Sequence, residues 1–322
     1  MDSAHDRVHA LSPDRQEALR RLLADQGAGL SLLDIAGSSL KPLRRGTDDN
    51  LFVFPATEGG VGYMSGYLPQ IPPRWSVYGC QSPGLDGEQQ PLTTVEEIAA
   101  HDIQQIRLVQ PHGPYRLVGN CMGGLPAFEA ACQLQADGER VDLLLHLMPA
   151  FDRPWRTLPA AEAPQLRGLL DYGFIIGRFL GREVPLPLDE ISAAPPGERA
   201  AVVARFLSRQ EGLTDSGFDV LLHRITIYQA NLTAMLAYRP QGTFTGTLHL
   251  LTVGSTARGE THLSLEAPYA SALRAVTPAQ IHNTHIDAEA TALFDCAEPH
   301  IGAIGRGMRE VLSKLDPATA TA

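Results

Sequence analysis

Residues 115–124 read Tyr-Arg-Leu-Val-Gly-Asn-Cys-Met-Gly-Gly, a short apolar run passing straight into a cysteine flanked at two residues' distance by glycines. A helical pattern, MGGLPAFEAACQLQADG, takes over at Met122 and stops at Gly138. Strand, G-x-nucleophile-x-G, helix is the arrangement of a nucleophile elbow, in which the central residue occupies a strained turn and its side chain projects from the strand end. Strand and helix can pass each other there only if the residues two before and two after are small. Gly119 and Gly123 meet that demand and make Cys121 the candidate nucleophile. The helix start just beyond favours a thiolate through its dipole and offers backbone N–H groups to an oxyanion. Cys80, Cys132 and Cys296 have no such setting and read as small hydrophobes.

Outward from the elbow, the chain alternates. LFVFPA (51–56) and WSVYGCQ (75–81) read as buried strands upstream, and TTVEEIAAHDIQQIRLVQ (93–110) as an amphipathic helix between them and the elbow. VDLLLHLMPA (141–150) and GTLHLLTV (246–253) continue the strands downstream, and PHIGAIGRGMREVLSKL (299–315) closes with a helix. This alternation predicts an α/β fold with a mostly parallel central sheet flanked by helices. Residues 155–235 break the rhythm with helical stretches and a proline cluster between Pro185 and Pro196, as expected of an inserted helical lid. Residues 1–45, with one helix near LSPDRQEALRRLL, read as a linker or peripheral extension; 46–316 as the main domain; 317–322 as a disordered tail.

Composition removes other classes. The 322 residues are 44% hydrophobic and 19% charged, enough apolar mass for a large core. A formal charge of -10 without a basic cluster argues against nucleic acid. No apolar run approaches the roughly 20 residues that cross a bilayer, and MDSAHDRVHA lacks a secretory core, so no membrane partner and a cytoplasmic location are expected. Four widely spaced cysteines fit neither a disulfide scaffold nor a paired-cysteine zinc site, and no metal or other cofactor is expected.

Several segments in order resemble the type I thioesterase domains that release products from nonribosomal peptide and polyketide synthases, members of the α/β-hydrolase fold. They are LFVFPATEGG with GYLPQIP, WSVYGCQSPGLDG, QPHGPYRLVGNCMGG, AFEAACQLQADGERVDLL, NLTAMLAYRPQGTFTGTLHLLTV and HIDAEATALFDCAEPHI. The resemblance covers about residues 45–315, and QPHGPYRLVGNCMGG is its most specific piece. It implies an acyl or peptidyl thioester substrate delivered on the phosphopantetheine arm of a carrier protein. Most members carry Ser where this chain has Cys121.

The resemblance also implies a base in a short loop after the last strand. Asn283-Thr284-His285 aligns best there and makes His285 the candidate, ahead of His282 and His300. The family's acid falls at Met148 in this chain, so a carboxylate is missing from that position. Asp152 is the nearest substitute, Glu260 a second, and operation with no acid a third, since a thiol pairs with an imidazole more readily than a hydroxyl does. The backbone N–H groups of Met122 and Ala56 are the expected oxyanion donors. A cysteine keeps the acyl group as a thioester, which favours release by intramolecular cyclisation, including strained β-lactone or β-lactam closure, over simple hydrolysis. Two other readings stand beside this one: a dienelactone-hydrolase-like cysteine enzyme, and a silent scaffold that binds an acyl chain or carrier protein.

Overall fold

A computed structural model describes residues 39–85, 87, 89–147, 164–179, 182–211, 215–254, 281–287 and 300–314. The elbow strand lies at the middle of a seven-stranded sheet. Its strands are β1 (Leu40–Arg44), β2 (Asn50–Phe54), β3 (Ser76–Cys80), β4 (Tyr115–Asn120), β5 (Val141–Leu147), β6 (Leu248–Gly254) and β7 (Ile281–Asp287), ordered β1-β3-β2-β4-β5-β6-β7. β1 is antiparallel to β3, and each of the other neighbours pairs in parallel. This is the mostly parallel α/β sheet that the alternation predicts.

Both faces of the central strands are covered, which is why these strands read as continuous apolar runs. Phe52, Phe54, Leu117 and Leu144 pack with Ala99, Ile103 and Ile106 of α1 (Val95–Val109) and with Ala127, Ala131 and Leu134 of α2 (Gly124–Ala136). Leu51, Val53, Val118 and Leu145 turn the other way, onto Ile304, Met308 and Val311 of α7 (His300–Ser313). The period-two alternation of a strand thus sorts one sequence into two cores. α1 starts where Thr94 Oγ1 accepts from the Glu97 amide at 3.2 Å, while the Glu97 carboxylate accepts from the Thr93 amide at 3.4 Å, closing the first turn from both sides.

The segment between β5 and β6, expected to be a lid, holds α3 (Pro164–Phe179), α4 (Leu188–Ala193), α5 (Arg199–Glu211) and α6 (Asp215–Ala237). Leu169, Tyr172, Val203, Leu207, Ile225 and Tyr228 form its own apolar cluster. Inside it the Tyr228 hydroxyl donates to the Asp171 carboxylate, satisfying two polar groups that the packing has taken from water.

Two expectations change. The sheet begins at Leu40, ahead of the boundary drawn at residue 45, because an antiparallel edge strand needs only backbone pairing and leaves little periodicity to read. Arg44 anchors that edge by donating to the carbonyls of Leu68, Pro72 and Trp75 at 2.8, 2.6 and 2.9 Å. At the opposite edge Ile281–Asp287 is a strand in register with β6, which places His285 inside a strand and not in a loop following one. The seven residues Ile-His-Asn-Thr-His-Ile-Asp are too polar to announce a buried strand. The extension to residue 38 and the tail 317–322 lie outside the described residues.

Candidate active site

Cys121 adopts a φ of 51°, the one non-glycine at positive φ among the described residues. That left-handed conformation carries strain for a residue with a Cβ and survives only where the surroundings hold it. Here β4 ends at Asn120, a 3-10 turn spans Cys121–Gly123, and α2 begins at Gly124. A Cβ at Gly119 would lie 2.4 Å from the Gly124 Cα, and one at Gly123 would lie 2.0 Å from the Pro55 carbonyl oxygen. Only hydrogen fits at either position, so the two glycines found in the sequence do what the elbow requires of them.

A third glycine and a histidine complete the support. A Cβ at Gly124 would fall 2.1 Å from the His146 ring, and His146 Nε2 donates to the Cys121 carbonyl oxygen. His146 stands on β5 opposite Gly119, is 2% exposed, and has its pKa lowered to about 4 by burial, partly opposed by that carbonyl. Its imidazole is therefore neutral at physiological pH, a fixed donor beneath the turn. Sequence pattern alone does not assign this contact to His146, whose available signal is a histidine at the next-to-last position of buried strand β5 beside the elbow.

The turn that meets Gly123 is the segment after β2. Ala56 and Met122, the expected oxyanion donors, border this close approach of the Pro55 carbonyl to the elbow. Ala56 is buried, its carbonyl accepts from the Gly59 amide at 2.9 Å, and the Gly59 carbonyl accepts from the Ser82 amide at 2.9 Å. Asn231 on α6 ties the segment down: its Nδ2 donates to the Thr57 carbonyl at 3.0 Å and to Ser82 Oγ at 3.1 Å. A Cβ at Gly59, which has φ 80°, would meet Ile227 Cγ2 at 2.8 Å. Helix α6 and the segment after β2 are thus bonded and packed together. An asparagine in an otherwise apolar helical stripe gave no hint of this.

His285 stands farther along the carboxyl ends of the strands, on β7. Asn120, Leu147, Leu251 and Thr284 form one cross-strand row, so Cys121 begins the next row, in which Thr252 pairs with His285. Three strand spacings, about 14 Å of backbone separation, lie between β4 and β7. Thr252 Oγ1 donates to Asn283 Oδ1 at 3.0 Å and lies 3.3 Å from His285 Nδ1. His282 faces the other way, its ring 5.5 Å from that of His249. Met148, Asp152 and Glu260, and with them the question of the acid, fall outside the described residues, as does Cys296.

The other described thiols differ from Cys121 in surroundings. Cys80 is fully buried with its pKa pushed well up by desolvation and then by Asp102, and Cys132 is pushed up to about 12 by burial and then by Glu129. Neither forms a thiolate near neutrality. No helix among the described residues is long and apolar enough to cross a membrane, and no group of three or more His, Cys, Asp or Glu is placed there to hold a metal ion.

Known proteins resemble this architecture in sequence and in fold. Residues 49–177 match the thioesterase domain family. A dimodular nonribosomal peptide synthase of Bacillus subtilis (strain 168) is 30% identical over 225 residues, which take in 69% of this chain but 9% of that protein. Among solved structures, a four-domain nonribosomal peptide synthetase, holo-AB3403, aligns with TM-score 0.67 at 18% identity over 87% of this chain and 20% of its own. The NocB thioesterase domain, in covalent complex with a fluorophosphonate nocardicin G analogue, aligns with TM-score 0.56 at 20% identity over 85% of this chain and all of its own. The two synthetases are far longer than this chain.

Proposed function

We propose that this chain, whose residues 49–177 match the thioesterase domain family, is a chain-releasing thioesterase that works through Cys121. The observation that carries the reading is the conformation of Cys121: a φ of 51° at a strand–helix turn, held by three close-packed positions and bordered by the Ala56 segment. In this reading the acyl or peptidyl group arrives as a thioester on the phosphopantetheine of a carrier protein. The Cys121 sulfur, having passed its proton to His285, attacks the carbonyl carbon. The tetrahedral oxyanion forms against the Met122 and Ala56 N–H groups, in a place where donors are already oriented. Collapse breaks the carbon–sulfur bond to the pantetheine, whose thiolate takes the proton back from His285.

The acyl-enzyme is itself a thioester, so the first transfer is close to thermoneutral and the carbonyl remains activated. An internal amine or hydroxyl then attacks, His285 accepts its proton, and Cys121 leaves as the product ring closes. Release by cyclisation, including closure of a strained four-membered ring, follows from that retained activation. Water attacking the same intermediate gives hydrolysis. The lid helices α3–α6 supply an apolar cover that selects between the two by excluding water.

Intact-protein mass after mixing with a panel of acyl, aminoacyl and peptidyl pantetheine thioesters tests this. An adduct of the acyl mass, absent from Cys121→Ala, is expected. If neither adduct nor turnover forms with any member, the scaffold reading replaces the enzymatic one.

A further inference from the structure

The geometry of the β6–β7 edge points to Thr252 and Asn283 as positioning residues that set the tautomer of His285, and this rests on the reading of His285 as base. Thr252 Oγ1 has a single proton. It lies 3.0 Å from Asn283 Oδ1, which only accepts, and 3.3 Å from His285 Nδ1. With its proton directed to Asn283, the hydroxyl has only lone pairs left for the imidazole. Nδ1 must then carry the ring proton, and Nε2 becomes the basic nitrogen. The order of donation runs from His285 to Thr252 to Asn283.

The arrangement is built into the sheet. Thr252 and His285 are direct cross-strand partners in the β6–β7 register, and Asn283 lies two residues before His285, on the same face of β7. Thr252 is 7% exposed, so its hydroxyl has little access to competing water. A carboxylate beside an imidazole does two things: it fixes the tautomer and it stabilises the imidazolium. A neutral hydroxyl does only the first. That is sufficient for a nucleophile whose unperturbed pKa is about 8.5, and insufficient for a serine.

Long-range proton–nitrogen correlation spectra of the full chain labelled with nitrogen-15 histidine read the tautomer directly, with His285 assigned by its loss in His285→Gln. Wild-type protein should show neutral His285 protonated on Nδ1. Thr252→Val, an isosteric change that suits a strand, should return the ring to the Nε2-protonated form that free imidazole side chains favour. It should also lower kcat about tenfold at unchanged KM, and Thr252→Ser should recover most of both effects. Wild-type His285 protonated on Nε2 overturns the inference, as does a Thr252→Val protein with unaltered tautomer and kcat. Turnover of His285→Gln separates the two layers: if it matches wild type, the base assignment itself fails, whatever the tautomer.

Discussion

At the elbow, Cys121 is held by its own backbone: a left-handed φ, glycine on three sides and a buried imidazole on its carbonyl. At the β6–β7 edge, His285 sits in ordinary extended structure and is held by side chains, Thr252 and through it Asn283. The difference matches what each group would have to do in the proposed mechanism. A nucleophile needs one position, which a strained turn surrounded by close packing provides. A base that takes and returns a proton needs one tautomer, and only hydrogen-bond partners can specify that. The first kind of control fails sterically and the second electronically, so substitutions at the two places should fail in different ways.

The largest effect should come from the elbow's reactive atom. Cys121→Ala is expected to lower turnover by about 1,000-fold or more with little change in melting temperature, since the methyl fits the same turn. Calorimetry beside the mass assay checks both halves of that statement. Next in size is steric failure: Gly123→Ala places a Cβ 2.0 Å from the Pro55 carbonyl, where backbone must move. A loss of about 3 kcal/mol in denaturant unfolding is expected, together with loss of the adduct.

The imidazole beneath the elbow should make the fold acid-sensitive. Burial lowers the pKa of His146 from 6.5 to about 4, so the unfolded chain binds more protons than the folded one between those values. The stability tied to this group is complete above pH 6.5 and is lost as pH falls toward 4, amounting to about 3 kcal/mol at the acid end. In His146→Gln that part of the pH slope should vanish; an unchanged slope between pH 6.5 and 4 would place the acid sensitivity elsewhere.

Smaller still is the tie between lid and oxyanion segment. Asn231→Ala strands the Thr57 carbonyl and should cost about 1–2 kcal/mol, with a fall in kcat larger than any rise in KM if the segment positions Ala56. At the bottom of the scale, His282→Gln should leave turnover unchanged, because that ring packs beside His249 on the opposite face of β7. Equal damage from His282→Gln and His285→Gln would erase the distinction between the two faces.

The legibility of the molecule divides along the same line. The strand–helix turn could be read from sequence because glycine spacing is the direct trace of a backbone constraint: Gly119, Cys121 and Gly123 lie where β4 passes into α2. The helices α1, α2 and α7 and the strands β2 to β6 were readable because burial on one or two faces leaves periodic apolar residues. β1 and β7 were not, because edge pairing uses backbone groups that every residue carries. His285 was found through its likeness to a family pattern, but its place within a strand was not, and Thr252 gave no signal at all. Its role depends on a register between segments more than thirty residues apart, which local spacing does not encode. Asn231 was hidden for the same reason, its partners lying on loops 174 and 149 residues away.

The 23-residue helix α6 has a consequence for exchanging parts between related domains. Its length, about 35 Å, serves two masters: Leu221, Ile225 and Tyr228 pack in the cluster of α3 and α5, whereas Ala234 and Met235 near its far end, and Tyr238 just beyond it, pack with Val95, Ile98 and Leu125 of the body. The two packings interleave, with Ile227 and Asn231 turned to the segment after β2 and Tyr228 and Leu232 to the cluster of α3 and α5. A chimera that swapped the whole of residues 155–235 for another cover would carry off the half of α6 that the body owns, together with the anchor of the oxyanion segment. Tyr228 and Leu232 lie beyond Ile227 and still pack in the cluster of α3 and α5, so a cut within the helix divides one packing or the other, and a graft that ends before Asp215 leaves α6 and its Asn231 tie with the recipient.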